Sequence, residues 1–491
     1  MSLTRRTFHS AAWNLSSRLG SRAVTVVGTL FLTRYLAPDA YGEVIVASTV
    51  VLTANQLVNL GVGHYVVSMP TADREVVFHA TVYYLVTGVV VTVLILALRN
   101  RFGVFFDAPH LGHFIPGLAL ALLIDRIGFM PEKMLVREMR FRRVGVIRSL
   151  GEITYTGVSL ALAAAGWGGQ SIVAGNVARS LLRGIAVLGS TERRAWLSPC
   201  RLNWPVTSKL FAFALPMWLS SAAAFAASRW DSLLVARFFG PASAGLYNLA
   251  YSLAEIPAVH VGEPVGDVLL PSFAQATLNR RPEALIRSTG LLALAVFPMA
   301  VGLGTVAPTL VAALLDPQWR AIGPMLMVLC AVSVARPISA VVGSYLQAQN
   351  RPWSVLRLEC VLVASLLVLI ATVGRLGPLW VCAAAAIAAG LYSLAGLFTV
   401  NRFDGIPLTR ILAVLWGPFA ACILMIAAIL VSRSALYGVA PRPGIALVIE
   451  ILVGGATYVG AVFVLTPNPA REMLHLAFDA VGFRPAADRR R

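Results

Sequence analysis

Charge is scarce in this sequence. Only 13% of its 491 residues are charged, 58% are hydrophobic, and the mean hydropathy is +0.77. A water-soluble chain of this length needs far more polar surface, so a soluble globular fold is excluded. Long loops are also lacking. The longest candidates are about 191–209 and the stretch from about 467 onward, neither of which offers the extramembrane domain that a membrane glycosyltransferase or polymerase uses to hold donor and acceptor. Cysteines are few and scattered (Cys200, Cys330, Cys360, Cys382 and Cys422), with no CxxC pair, so neither a zinc site nor a disulfide framework is suggested. Four of them lie in or beside apolar blocks, where a thiol acts as a small hydrophobe. There is no Walker loop, GxSxG elbow, HExxH helix or pair of carboxylates on a soluble loop. The histidines, His64 and His79 among them, show no ligand spacing. No cofactor, no metal and no enzymatic activity are therefore expected.

What the sequence has is long apolar runs. Val44–Val58, Val82–Leu98, Leu291–Leu315, Val361–Val373, Leu412–Val431 and Ile445–Leu465 are clear cases. Runs near 20 residues match the thickness of bilayer hydrocarbon. Lipid leaves backbone groups to satisfy one another, which a helix does within itself. The period-2 pattern of a membrane barrel is missing. The amino-terminal stretch carries His9, Asn14, Arg18 and Arg22, too polar for a cleavable signal core. The expected fold is an all-α integral membrane protein with about fourteen spans: 11–34, 43–67, 76–98, 113–131, 145–165, 171–190, 210–237, 245–271, 286–315, 322–347, 355–373, 378–400, 410–432 and 444–466. With both termini in the cytoplasm, and residues near a span end counted with the adjoining loop, cytoplasmic segments hold 25 of the 40 basic residues, the opposite side holds 8, and 7 lie deeper inside spans. That bias fixes the expected orientation. The net charge of +18 is spread over many short loops, which fits contact with anionic membrane lipids and argues against a nucleic-acid partner. Trp13, Trp196, Trp204, Trp319, Trp353 and Trp380 fall near span ends, as an interfacial aromatic belt does.

An internal repeat organises the spans. Arg34-Tyr35-Leu36-Ala37-Pro38-Asp39-Ala40-Tyr41-Gly42 returns 203 residues later as Arg237-Phe238-Phe239-Gly240-Pro241-Ala242-Ser243-Ala244-Gly245. A weaker echo pairs Leu135–Arg140 with Leu346–Arg351. Six spans separate the copies, so the two lobes run parallel, with a cavity expected between them. The expected division is an N-lobe over 1–200, a C-lobe over 201–402, two further spans over 403–466, and a cytoplasmic tail over 467–491. The motifs RYLAPDAYGEV, MLVREMRFRRVG, AAAGWGGQSIVAGNVAR and RWDSLLVARFFGPASAGLYNLAYSLAEIP, in this order over about residues 10–400, resemble the polysaccharide-transporter branch of the multidrug/oligosaccharidyl-lipid/polysaccharide exporter superfamily. The resemblance implies a V-shaped pair of six-helix lobes in the bacterial inner membrane. It also implies flipping of an undecaprenyl-diphosphate-linked oligosaccharide to the outer leaflet by alternating access, with a polysaccharide polymerase or export machinery as partner. The alternatives are an organic-cation antiporter or a peptidoglycan-precursor flippase of the same superfamily, and, from another class, a membrane enzyme of cell-envelope sugar chemistry.

Ionisable groups at mid-bilayer cost on the order of 2.5–3.5 kcal/mol and face a wet cavity or a partner. Arg18, Arg22, Arg126, Arg179, Arg183, Arg229 and Arg336 fall inside the expected spans. Arg18 and Arg22, and again Arg179 and Arg183, are four apart and share a helix face. With Asn14, Ser21 and Thr25, the first pair makes a polar stripe. Arginine suits a diphosphate because its planar fork donates paired hydrogen bonds; snorkelling to headgroups is the competing reading. Arg18, Arg22, Arg179, Arg183, Arg229 and Arg336 are the expected diphosphate contacts. Arg126 follows Asp125, so local pairing competes with substrate contact there. Asp125, Asp231 and Glu255 are candidates for coupling or for interhelical ion pairs, with Asp231 at a point where the resemblance implies a cavity-side acid. Asn55 and Asn59, beside Gln56, are placed to bond sugar hydroxyls or to link helices. The spans hold more arginine than these deep acids, which favours an anionic cargo over a cationic one.

Overall fold

The computed structural model describes residues 20, 24–59, 61–68, 74–258, 269, 273, 281–349, 351–437 and 442–473. Among them the regular structure is helical, with no strand. The helices are α1 (residues 24–32), α2 (Pro38–Leu57), α3 (Val62–Ser68), α4 (Arg74–Phe105), α5 (Leu111–Arg137), α6 (Phe141–Ala164), α7 (Gln170–Ser190), α8 (Arg193–Trp196), α9 (Trp204–Ala254), α10 (Arg281–Leu314), α11 (Ile322–Ala348), α12 (Pro352–Thr372), α13 (Pro378–Asp404), α14 (Leu408–Tyr437) and α15 (Pro443–Leu465). Nine helices among the described residues are long and apolar enough to cross a membrane: α4, α5, α7 and α10–α15. Val89, Val90, Val93 and Leu94 on α4, and Ile445, Ile451, Leu452 and Val464 on α15, stand exposed. Apolar side chains in such numbers on a helix surface face lipid rather than water. The all-helical membrane architecture expected from the sequence is thus observed.

Local chemistry explains most boundaries. Proline stands in the first turn of α2, α12, α13 and α15, where its missing N–H is not needed. Gly405, in the left-handed region, closes α13. Two boundaries differ from expectation. The second span breaks into α2 and α3 at Gly61, whose φ of +64 leaves the helical region; a Cβ there would lie 2.6 Å from the carbonyl of Ala214 on α9. The seventh span and the start of the eighth, to Ala254, instead form one helical run, α9. Only Gly240 departs from helical geometry, with φ 80 and ψ 171, and Pro241 restarts the helix at once. The loop expected around 237–245 is therefore a kink.

Two compact units divide the chain, residues 1–248 and 249–491. In the first, α4 packs on α5, α5 on α7, and α6 on α7. Within the second, α10 packs on α11, α11 on α13, and α12 on α13. This is the same order of neighbours six spans later, so the repeat read from short motifs also exists in the packing. The last two helices, α14 and α15, pack on each other and on α10. The core of the second unit is apolar, with Phe297, Tyr345, Leu397, Met425 and Tyr458 among its buried members.

Candidate functional site

The polar side chains inside the helices are arranged in pairs and short networks. In the first unit, Arg126 on α5 is 2% exposed. Its Nη1 donates to the Tyr84 carbonyl at 2.7 Å and its Nη2 to Asn55 Oδ1 at 2.6 Å. The guanidinium stacks 4.4 Å from the Tyr84 ring centroid. Gly88 makes room, since a Cβ there would collide with the Arg126 side chain. The local Asp125–Arg126 pair is thus replaced by a link from α5 to α2 and α4, because successive helix positions point about 100° apart. Asn55 is occupied in that link. Asn59 lies just past the end of α2, half-buried, its N–H directed to the Gln56 carbonyl.

A second network joins α5, α6 and α7. Glu132 accepts from Arg148 at 2.5 Å and from Arg183 at 3.3 Å. Glu152 accepts from Thr25 on α1 at 3.2 Å and lies 3.7 Å from Arg179. Arg179 also donates to Asn176 at 2.6 Å and sits over the Tyr155 ring. Asp125 lies within Coulombic reach of both Arg183 and Arg179. The arginine stems cross α6 at Gly151, where a Cβ would lie 2.8 Å from the Arg183 side chain. Three arginines, Arg148, Arg179 and Arg183, thus face three acids, Asp125, Glu132 and Glu152. The shared face read from the spacing of Arg179 and Arg183 is present, and it is lined with carboxylates.

Asp231 on α9 is 1% exposed. It accepts from the Tyr247 hydroxyl at 2.7 Å and from the Ser232 N–H at 2.7 Å. Tyr247 lies beyond the Gly240 kink, so this bond ties the two arms of α9 together. Arg229, two residues away, is exposed. Arg18 and Arg22 lie outside the described residues.

In the second unit Glu255 and Arg336 form an ion pair at 2.6 Å, and Arg336 also reaches the Tyr251 hydroxyl at 3.2 Å. Glu359 on α12 accepts from Tyr392 on α13 at 3.0 Å and lies within Coulombic reach of Arg336. Further along, Glu450 on α15 is 1% exposed and takes both Arg433 Nε at 2.8 Å and Nη2 at 3.0 Å. Thr309 donates to the same carboxylate at 2.9 Å, and Arg433 reaches the Thr305 carbonyl at 2.8 Å. Sequence reasoning misses Glu132, Glu152, Glu359 and Glu450, although Glu152, Glu359 and Glu450 stand alone in apolar runs, a signal that could have found them. Arg148, Arg179, Arg183, Arg336 and Arg433 are each opposed by one of these acids or by Glu255, so the surplus of arginine over the three acids expected from the sequence does not by itself select the cargo.

His79 is fully buried. Its Nε2 accepts the Asn203 N–H at 2.7 Å, so Nδ1 carries the proton directed at the Glu75 carbonyl 2.7 Å away. Nε2 thus fastens the segment before α9, while Nδ1 is tied back to the preceding turn of α4. Among the described residues no group of three or more His, Cys, Asp or Glu is placed to hold a metal ion. A cavity of about 620 Å³ at the α4–α5 turn is lined by Arg99, Asn100, Asp107 and His113, and one of about 300 Å³ by Ile286, Leu294, Val414 and Pro418. The residues singled out from the sequence line neither.

Residues 31–324 match the family model described as polysaccharide biosynthesis protein. The chain is 24% identical over 362 residues to the lipopolysaccharide biosynthesis protein WzxC of Escherichia coli (strain K12), covering 72% of each. It is 24% identical over 478 residues to the succinoglycan biosynthesis transport protein ExoT of Rhizobium meliloti (strain 1021), covering 95% of each. Among solved structures, the lipid II flippase MurJ in an inward closed conformation superposes with a TM-score of 0.76 at 13% identity, over 93% of this chain and 98% of that one. At that identity the likeness is one of fold.

Proposed function

This chain belongs to the polysaccharide biosynthesis protein family, and on that premise we propose that it is a flippase. Its cargo is an undecaprenyl-diphosphate-linked oligosaccharide, moved from the inner to the outer leaflet of a bacterial inner membrane by alternating access for surface polysaccharide synthesis. The observation that carries this reading is the family match across 31–324 together with likeness to a transport protein along 95% of both chains. Two parallel lobes, 1–200 and 201–402, rock about a central path, with 403–466 as an appended helix pair. Both termini face the cytoplasm, as the distribution of arginine supports. Membrane lipids surround the protein, and a polymerase or export machinery takes up the flipped product.

Arg18, Arg22, Arg179, Arg183, Arg229 and Arg336 are the candidates for meeting the diphosphate, and Asn55 and Asn59 for meeting sugar. Asp125, Asp231 and Glu255 are the candidates for coupling. The test is the lipid extract of a deletion strain. Accumulated undecaprenyl-diphosphate oligosaccharide that disappears on complementation supports flipping. A truncated glycan marks a missing transferase and overturns the reading, and an unchanged extract with altered drug resistance marks an antiporter.

A further inference from the structure

The repeated motif meets its own copy. In the first compact unit, α2 opens on Pro38 and reaches Gly42 one turn later, while α9 resumes at Pro241 after its kink and reaches Gly245. The two P-x-x-x-G turns lie against each other reciprocally. A Cβ on Gly42 would collide with the Pro241 carbonyl oxygen and come within 3.2 Å of the Gly245 nitrogen. Conversely, a Cβ on Gly245 would lie 2.7 Å from the Pro38 oxygen and 3.0 Å from both the nitrogen and Cα of Gly42. Each glycine therefore covers the other motif's proline carbonyl, as two halves related by an approximate two-fold axis do. Leu36, Val44, Ala244 and Tyr247 beside the seam are buried. Small residues let helix backbones approach closely in membranes, and the resulting Cα–H to carbonyl contacts are individually weak.

We propose that the Pro38–Gly42 and Pro241–Gly245 turns form a gate: a backbone seam, closed in this structure, that opens once per transport cycle. The contact is made of main chain and glycine, so it seals without side-chain interlocking and parts without breaking an ion pair. The Gly240 kink supplies the geometry by turning the second half of α9 towards α2, and the Tyr247–Asp231 bond holds the kink. The orientation read from arginine places the seam on the side away from the cytoplasm. The gate rests on the transport reading but not on the identity of the cargo, and its main test uses no cargo.

The experiment starts from the full-length protein with the five native cysteines replaced. Asp39→Cys and Ala242→Cys are introduced together, and a short bismaleimide is applied to membranes. The pair should cross-link. Adding Gly42→Ala or Gly245→Ala should lower the yield at least fivefold at equal inserted protein. Gly157→Ala and Gly189→Ala, where a Cβ meets nothing within 4 Å, should leave it unchanged. Equal yields in all four variants would overturn the gate. A second arm does not depend on glycine variants folding: the cross-linked protein should lose glycan export, and the same pair treated with a monofunctional maleimide should keep it. Export by the cross-linked protein would also overturn the gate. A glycine-dependent yield in a protein whose deletion leaves the lipid-linked glycans unchanged would leave the gate standing and remove the cargo.

Discussion

Glu255 and Arg336 offer a test that separates coupling from simple pairing. Their contact is 2.6 Å, with about three-tenths of each side chain exposed (29% and 31%). A hydrogen bond between charged groups contributes about 1.5–3 kcal/mol, and the partial exposure places this one near the lower end. Removing one partner adds a second cost, because the remaining charge sits in a helix within the bilayer, about 2.5–3.5 kcal/mol at the centre and less towards an edge. Glu255→Gln alone, or Arg336→Gln alone, should therefore destabilise the purified protein by about 2–4 kcal/mol in a thermal unfolding assay in detergent. A glutamine amide in place of the Arg336 guanidinium is shorter and keeps the hydrogen bond to Tyr251 only in part. The double variant removes both charges, so it should recover to within about 1 kcal/mol of the parent, since a pair removed whole leaves no uncompensated ion. Glycan export per inserted molecule then decides the role. A structural pair predicts a double variant that is stable and active; a coupling carboxyl predicts one that is stable and inactive. If either single variant is as stable as the parent, the energy assigned to the pair is wrong.

Three further outcomes follow from the same physics. Arg433→Met should cost about 3–5 kcal/mol because it strands the Glu450 carboxylate, which is 1% exposed, while Thr309→Val should cost about 0.6–1.7 kcal/mol; a smaller loss in the first than in the second would contradict the pairing. Arg18→Lys and Arg22→Lys keep charge but lose the fork, so if these residues hold diphosphate, export should recover only partly relative to Ala. Full activity of both Ala variants would leave the two arginines as topology anchors. Cysteine at Asn100, with native cysteines removed, should react with an impermeant reagent in intact spheroplasts, and Arg140→Cys only after permeabilisation; the reverse pattern would invert the orientation.

Much of the fold is legible in the sequence because lipid imposes one solution on the backbone. An apolar run of spanning length becomes a helix, and Pro378 or Pro443 marks where it starts. The kink at Gly240 is not legible, because Gly-Pro between two apolar runs equally describes a loop. The difference is that Pro241, with its fixed φ, initiates a helix immediately after a single non-helical residue. Gly61 is hidden for the opposite reason, since the apolar residues on either side read as one continuous span. At the site, the spacing of Arg179 and Arg183 correctly puts them on one face. Their partners Glu152 and Glu132 come from other helices, and no periodicity along one helix fixes the register between two. The same holds for Asp231 and Tyr247, sixteen residues apart across a kink that the sequence describes equally well as a loop.

The paired state of the arginines sets a condition on the proposed binding of a diphosphate there. If Arg179 and Arg183 meet the cargo's diphosphate as proposed, it finds guanidiniums already opposed by Glu152, Glu132 and Asp125. Its affinity there is the difference between two charge-assisted interactions, not the full value of one, and the displaced carboxylates add repulsion unless they move away or take up a proton. This penalty is useful to a transporter. A site of unopposed arginines in low dielectric would hold a diphosphate too tightly to release it, whereas a site in which carboxylates return to the arginines as the cargo leaves is reset by its own charges. Binding and release then differ by small free energies, which is the condition for turnover. In this view Glu132 and Glu152 act as internal competitors of the phosphate. Neutralising either one should tighten cargo retention while slowing its release, the opposite of what loss of a merely supporting ion pair would do.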